Sequence, residues 1–430
     1  MIQPWFEGAK LGIFIHWGIY AVEGIPESWS FFNDQISYAD YIKQCAGFTA
    51  AHYDPKEWAA LFARTGAQYA VLTTKHHDGV ALYDTAENDL SVVKRTPAGR
   101  DLIAPYCEAL REKEIKVGLY FSHLDWSRPD YAPVPVGERT NKTLNSASFA
   151  SWEGGKDNPA WQRFIAFQRA QLTEICTKFS PDLLWFDGDW TPPHEWWDFD
   201  ETGDMLRRLL PDVVINSRLG SHGDYATPEQ GQPIARPQGP WEFCVTMNDS
   251  WGYQGRDQNY KSVREIVRLF AEVVGMGGNL LLDIGPMADG TIPPEQAERL
   301  EAFGAWNQKH HEAIWGTDAG LPAGHCYGAS TLSADRTTLY VFVFDRVVDG
   351  FAVKGIRNKV KRVSVVGGGG DDGGELSFRK RGGAEWMNVP GVLWIAVPDA
   401  VLDPLATVLK IELDGELDLW TGAGHAITAN

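Results

Sequence analysis

The chain has 430 residues, too many for one ordinary domain and suited to a large barrel with a smaller appendage. Hydrophobic residues make up 44% and charged residues 22%, a globular balance; no uncharged apolar run approaches the roughly 18 residues of a membrane span, which excludes a transmembrane protein. The formal charge of −18 repels polyanions, so it argues against a nucleic-acid partner and for a neutral or cationic substrate.

The first ten residues carry one lysine and no apolar stretch ahead of a cleavage site, so no secretory signal is read there. A cytoplasmic location is expected unless a leader has been removed. From residue 11 onward, short β-rich runs alternate with helical patterns, the signature of repeated βα units around a parallel sheet. Strands are predicted at 11–17, 67–77, 116–123, 182–188 and 213–218, each apolar enough to be buried on both faces. Between them, Trp58/Leu61/Phe62, Leu102/Ile103/Tyr106/Leu110 and Leu172/Ile175/Cys176/Phe179 recur at the three-and-four spacing of amphipathic helices. Two further strands, 241–247 and 279–285, flank a helix marked by Val263, Ile266, Val267, Phe270 and Val274. A last helix is predicted over about 294–312. Seven strands are thus placed and an eighth is not; the natural closure is a (β/α)8-like TIM barrel, irregular at one stave, over residues 1–318.

Residues 319–430 have a different texture. Runs at 338–344, 360–366, 391–398 and 407–413 are joined by Gly-rich turns with no helical pattern between them, which predicts a small C-terminal antiparallel β-sandwich. The stretch 367–374 lacks the ending of a phosphate-binding loop and reads as a hairpin loop, and 275–279 reads as a helix-to-strand turn. Five scattered cysteines without CxxC pairs argue against a disulfide scaffold or structural zinc. His310 and His311 read as a solvated helix face.

In a parallel barrel the active site lies at the carboxyl ends of the strands. Here those ends are polar: His16-Trp17, then His76-His77-Asp78, Tyr120 and His123, Trp185-Phe186-Asp187, and Arg218. Taken singly, a strand-end histidine such as His16 is more often a hydrogen-bonded structural residue than a substrate contact, and a strand would point His76 and His77 opposite ways unless it has ended there. Their convergence is what points to a pocket. Asp187 closes an apolar strand before Gly188, where an ionised carboxylate needs a partner or a task, and Arg218 is positioned to pair with it. A nucleophile facing an anomeric carbon fits, given a second carboxyl group about 5–5.5 Å away as acid and then base. Glu229, on a Pro-containing loop after the fifth strand, and Glu242, near the start of the sixth, are the candidates; Glu229 is favoured because Glu242 lies at the wrong strand end. An excess of aromatics, with 18 Trp, 14 Tyr and 20 Phe, can supply flat walls for sugar rings.

The segments AKLGIFIHWG (9–18), TKHHDG (74–79), WFDG (185–188), SWGY (250–253) and NLLLDIGP (279–286), in this order, resemble the α-L-fucosidases of glycoside hydrolase family 29. The resemblance runs from about residue 5 to 317. It implies a retaining, metal-free and cofactor-free mechanism acting on a fucosylated oligosaccharide or glycoconjugate. It further implies Asp187 as nucleophile and fucose contacts from His16, His76, His77, Tyr120 or His123, Trp185 and Arg218. It leaves the choice between Glu229 and Glu242 open. Asn216-Ser217-Arg218 departs from the Asn-Asp-Arg of many relatives while keeping the arginine. Fucose is neutral, so imidazoles suit its hydroxyls, and its methyl group needs an apolar patch from Trp29, Phe31, Phe32 or Trp251. Loops 19–54 and 126–158 shape the rim. Two other readings are a barrel hydrolase or isomerase with a divalent ion on His16, His76 or His77 and Asp187, and a catalytically silent fucose-binding protein. Linkage specificity and oligomeric state are not legible in the residues.

Overall fold

The fold is taken from a computed structural model that describes residues 2–368 and 374–422. Seven parallel strands form one curled sheet: β1 (Leu11–Ile15), β2 (Tyr69–Lys75), β3 (Lys116–Ser122), β4 (Leu183–Asp187), β5 (Val214–Ile215), β6 (Glu242–Thr246) and β7 (Asn279–Ile284). Their spatial order is β5-β4-β3-β2-β1-β7-β6, which leaves β5 and β6 at the two edges. The missing stave is irregular. Asn216 bridges Tyr225, Ala226 bridges Trp241, and Glu229 bridges Cys244, all in parallel sense, so the extended segment 225–229 runs between the two edges. Backbone bonds from Cys244 N to the Pro228 carbonyl and from Gln230 N to the Cys244 carbonyl hold it on β6. A proline and the two-residue β5 explain why no regular strand forms there.

The strands are buried along nearly their whole length because helices cover the outside and side chains fill the inside. The inner core combines Phe14, Tyr69, Val71, Tyr120, Leu183, Trp185, Cys244 and Leu281 with Phe6 and Tyr225. Local signals set the helices. Asp54 caps Pro55–Thr65 by accepting from the amides of Lys56 and Glu57, and Gly66, at φ 91°, ends it in the left-handed region. Ser262 and Glu265 form a reciprocal capping box on Val263–Gly275. No helix among the described residues is long and apolar enough to cross a membrane.

The chain divides into two compact units: Met1–Gln232, Gln238–Tyr260 and Leu281–Glu301 form one; Pro233–Pro237, Lys261–Leu280 and Ala302–Asn430 form the other. Within the second unit lie a five-stranded antiparallel sheet and a three-stranded one. The first has the order β12-β15-β10-β9-β8 and the second β11-β14-β13. The strands are β8 (Thr317–Ala319), β9 (Ser330–Ser333), β10 (Thr338–Val343), β11 (Phe351–Val353), β12 (Val360–Val365), β13 (Phe378–Arg381), β14 (Val392–Ile395) and β15 (Thr407–Leu413). Leu339, Val341, Val353, Val363, Leu393, Ile395, Leu409 and Ile411 pack between them. The four predicted strands are β10, β12, β14 and β15; the other four are too short or too polar to show a period. The helix Val263–Gly275 belongs with this unit, where Arg264 and Arg268 both reach the Phe344 carbonyl and Asp345. His310 corrects its reading as a solvated residue: it is fully buried, its Nδ1 donating to the Trp306 carbonyl at 2.8 Å, while His311 is exposed. Most of the Gly-rich loop, residues 369–373, lies outside the described residues.

Candidate active site

Period-two alternation carries Trp185 and Asp187 to the inner face of β4, and Phe14 and His16 to the inner face of β1 and its end. Tyr120 is the register partner of Trp185, and the two rings stack at 5.7 Å. At the carboxyl ends of the strands these residues open onto a cavity of about 430 Å³. His16, Trp29, His76, Tyr120, Trp185, Asp187, Arg218, Glu229 and Trp251 line it, joined by Phe14, Asp189, Trp190, Ser217 and Thr227.

Asp187 is held by three donors. Its Oδ1 accepts from Arg218 Nη1 and, at 2.9 Å, from the Gly188 amide; its Oδ2 accepts from the Tyr120 hydroxyl at 2.9 Å. Arg218 Nη2 pairs with Glu229 Oε2, so one planar guanidinium grips both carboxylates. Burial works against the Arg218 charge, but the Asp187 and Glu229 carboxylates outweigh it and raise the group above its ordinary value. The same guanidinium lies 4.8 Å from the Trp185 ring centroid, a cation–π contact that presses it against the cavity wall. Among the described residues lining the cavity, Arg218 is the one permanent cation.

The histidines divide into two layers. His16 and His76 face the cavity, whereas His77 and His123 sit behind its wall. β2 ends at Lys75, so His76 and His77 escape strand alternation and their rings lie 4.2 Å apart. His16 Nδ1 donates to the buried Asp283 carboxylate at 2.7 Å, leaving Nε2 as an acceptor. The Ser122 hydroxyl donates to the Leu124 carbonyl and therefore accepts from His77 Nδ1 at 2.6 Å. That assignment leaves His77 Nε2 as a buried acceptor, 3.7 Å from Asp187 Oδ2. His123 donates from Nε2 to the Arg218 carbonyl at 2.9 Å and stacks on Phe186, so it fixes the loop bearing the arginine. Burial, first of all, lowers the pKa of all four, to about 4 for His123, and they are neutral at ordinary pH.

Two glutamates compete on paper, and the structure separates them by depth. Glu242 opens β6 at the floor of the barrel, wholly buried, where it accepts from Tyr69 at 2.5 Å, Trp185 Nε1 at 2.9 Å and Tyr225 at 3.4 Å. Burial pushes its carboxyl up to about 7 despite those donors. Glu229 stands at the rim on the irregular stave, its side chain 36% exposed. Trp29 and Trp251 line the cavity, but Phe31 is buried in a cluster with Tyr41 and Trp126, and Phe32 stacks on Trp126 at 4.2 Å. Neither phenylalanine supplies the apolar patch expected of it. Asn216 extends β5 with its side chain, accepting from the Phe186 amide at 2.9 Å and donating to its carbonyl at 2.8 Å, which sets the approach of Arg218. The strand-end pattern does not single out Asp189 and Trp190, which line the cavity too; their position directly after a strand-end carboxylate is the one signal for them in the sequence. Among the described residues no group of three or more His, Cys, Asp or Glu is arranged to hold a metal ion.

A family profile described as alpha-L-fucosidase matches residues 1–312. The human tissue alpha-L-fucosidase is 34% identical over 346 residues, covering 73% of this chain and 69% of that protein. Among solved structures, alpha-L-fucosidase isoenzyme 1 from Paenibacillus thiaminolyticus is similar at TM-score 0.82 and 34% identity, covering 95% of this chain and 98% of that one. A Bacteroides thetaiotaomicron family 29 fucosidase, described as a trapped covalent intermediate with 2-fluoro-fucosyl fluoride, is similar at TM-score 0.80 and 25% identity, with 95% of each chain covered. With the curled parallel barrel and the strand-end cavity already in place, these matches show that the chain belongs to the α-L-fucosidase family, the glycoside hydrolases that cleave fucosyl linkages.

Proposed function

We propose that this chain is a retaining, exo-acting α-L-fucosidase in which Asp187 is the nucleophile and Glu229 the acid/base. The observation that carries the reading is the single guanidinium of Arg218 joined to both carboxylates at the mouth of one cavity. Binding to the two ends of one planar fork brings both carboxyl groups to the same side of the cavity, the pairing that double displacement uses at a separation of roughly 5–5.5 Å. Asp187 Oδ1 is committed to two donors and Oδ2 to the Tyr120 hydroxyl, so Oδ2 is the oxygen that attacks C1. As the C1–Oδ2 bond forms, the bond to the leaving oxygen breaks and that oxygen takes the proton of Glu229. Water, deprotonated by Glu229, then attacks C1 and releases Asp187 and fucose. Neutral imidazoles on His16 and His76, which line the cavity, bind hydroxyls of the uncharged sugar, while His77 stands behind the wall next to the nucleophile. The covalent intermediate described for the Bacteroides thetaiotaomicron relative is consistent with this course.

Asp187→Ala is expected to lower turnover of an aryl α-L-fucoside by several orders of magnitude, with azide restoring part of it as the inverted fucosyl azide. Normal turnover without azide sinks the assignment. Glu229→Gln is expected to spare substrates with good leaving groups and to lose natural glycosides. The metal-dependent alternative predicts loss of turnover on treatment with a chelator and recovery on adding metal; the present reading predicts neither.

A further inference from the structure

We propose that Trp190 is the platform for the departing sugar, and that with Asp189 beside it the site selects neutral over anionic acceptors. This rests on reading the cavity as a fucosidase site. Trp190 is 49% exposed, and of the exposed large hydrophobic residues described it is the one that lines this cavity. One face is taken up by the indole of Trp29, stacked at 6.2 Å and 21°, and the His77 ring lies perpendicular to it at 5.9 Å. The half of its surface that is exposed therefore belongs to the face away from Trp29. A flat apolar surface left open at the mouth of an otherwise polar cavity is suited to the C–H face of a pyranose.

The position of the indole is tied to the chemistry. It lies three residues after Asp187, across a turn in which Gly188 adopts φ 89°. A side chain at 188 would collide with Leu124 Cγ at 2.5 Å, so the turn is packed as well as bent. Glu229 and the hydrogen-bonded pair Ser217 and Thr227, 3.2 Å apart, add polar groups to the lining of the same cavity. A leaving group protonated by Glu229 leaves through this lining, with its apolar face toward Trp190 and hydroxyls within reach of Ser217 and Thr227. The charge balance adds selectivity. With Glu229 carrying the proton that it gives to the leaving oxygen, Asp187 and Asp189 still outnumber the one permanent cation of the cavity, which is paired with Asp187, so a sulfated or sialylated acceptor meets uncompensated negative charge.

The test compares α-L-fucosyl fluoride, which leaves no acceptor sugar, with a neutral fucosyl disaccharide, using the full chain. Trp190→Ala is expected to lower the ratio of kcat/KM on the disaccharide to kcat/KM on the fluoride about tenfold, whereas Trp190→Phe holds it within about threefold. Trp190→Leu, which keeps bulk without a flat face, gives the same drop as alanine and serves if the alanine variant does not fold. Asp189→Asn is expected to raise turnover of a sulfated fucosyl disaccharide relative to its neutral counterpart. A ratio unchanged in Trp190→Ala or Trp190→Leu overturns the platform, and an unaltered preference in Asp189→Asn overturns the charge selection. Wild-type protein inert toward the fluoride overturns the fucosidase reading itself, an outcome distinct from either.

Discussion

Glu242 shows at the scale of one residue how a carboxyl group can be rich in partners and still poorly placed to ionise. Three donors reach it, yet full burial holds it near 7, above its ordinary 4.5. The folded protein therefore keeps a proton that the unfolded chain releases between those values. The stabilisation is complete below pH 4.5 and is lost as pH rises through 7, by about 3 kcal/mol in all. Glu242→Gln removes that dependence, so urea titrations should show the stability difference moving toward the variant by this amount across the interval; a difference independent of pH contradicts the account. The buried histidines act with the opposite sign. Their lowered pKa values mean that stability is lost as pH falls below about 6.5, toward about 4 for His123.

At the scale of the element, the irregular stave matters most, because it carries Glu229. Its start is pinned by Asp224, whose carboxylate accepts from the Ile215 amide at 2.8 Å and from Arg207 at 2.7 Å, while its own amide donates to the Ile215 carbonyl at 2.7 Å. Asp224→Ala is expected to cost about 1–3 kcal/mol in denaturant unfolding, because it leaves the buried Ile215 amide without its acceptor and removes the carboxylate from Arg207, which keeps only the Val213 and His222 carbonyls. It is also expected to lower kcat on natural glycosides more than on good leaving groups, since the acid five residues on loses its alignment. Asp224→Asn, which keeps an acceptor, should recover most of both. Equal loss on both substrate types would show that the stave does not position the acid.

For the whole molecule, a net charge of −18 means self-repulsion that no single ion pair offsets. Raising salt from about 0.02 to 0.5 M shortens the screening length several-fold and is expected to raise Tm by roughly 2–4 °C, read by calorimetry; a fall would assign the surface a net favourable charge pattern instead.

Local chemistry in the chain determined the parallel strands, the helices between them and the polar residues at the strand ends, because alternation and capping act over a few residues and leave a periodic trace. For that reason the strand-end pattern alone assigns His16, Asp187 and Arg218 to one pocket, the one they line in the fold. Tertiary structure alone decided the depth of each group. It put Glu242 under the floor and Glu229 on the rim, set His77 and His123 behind the wall, turned Phe31 and Phe32 away, and filled the eighth stave with an irregular segment. Burial is the sum of contacts from residues far apart in the chain, such as Tyr69, Trp185 and Tyr225 around one carboxylate, and no local period records it.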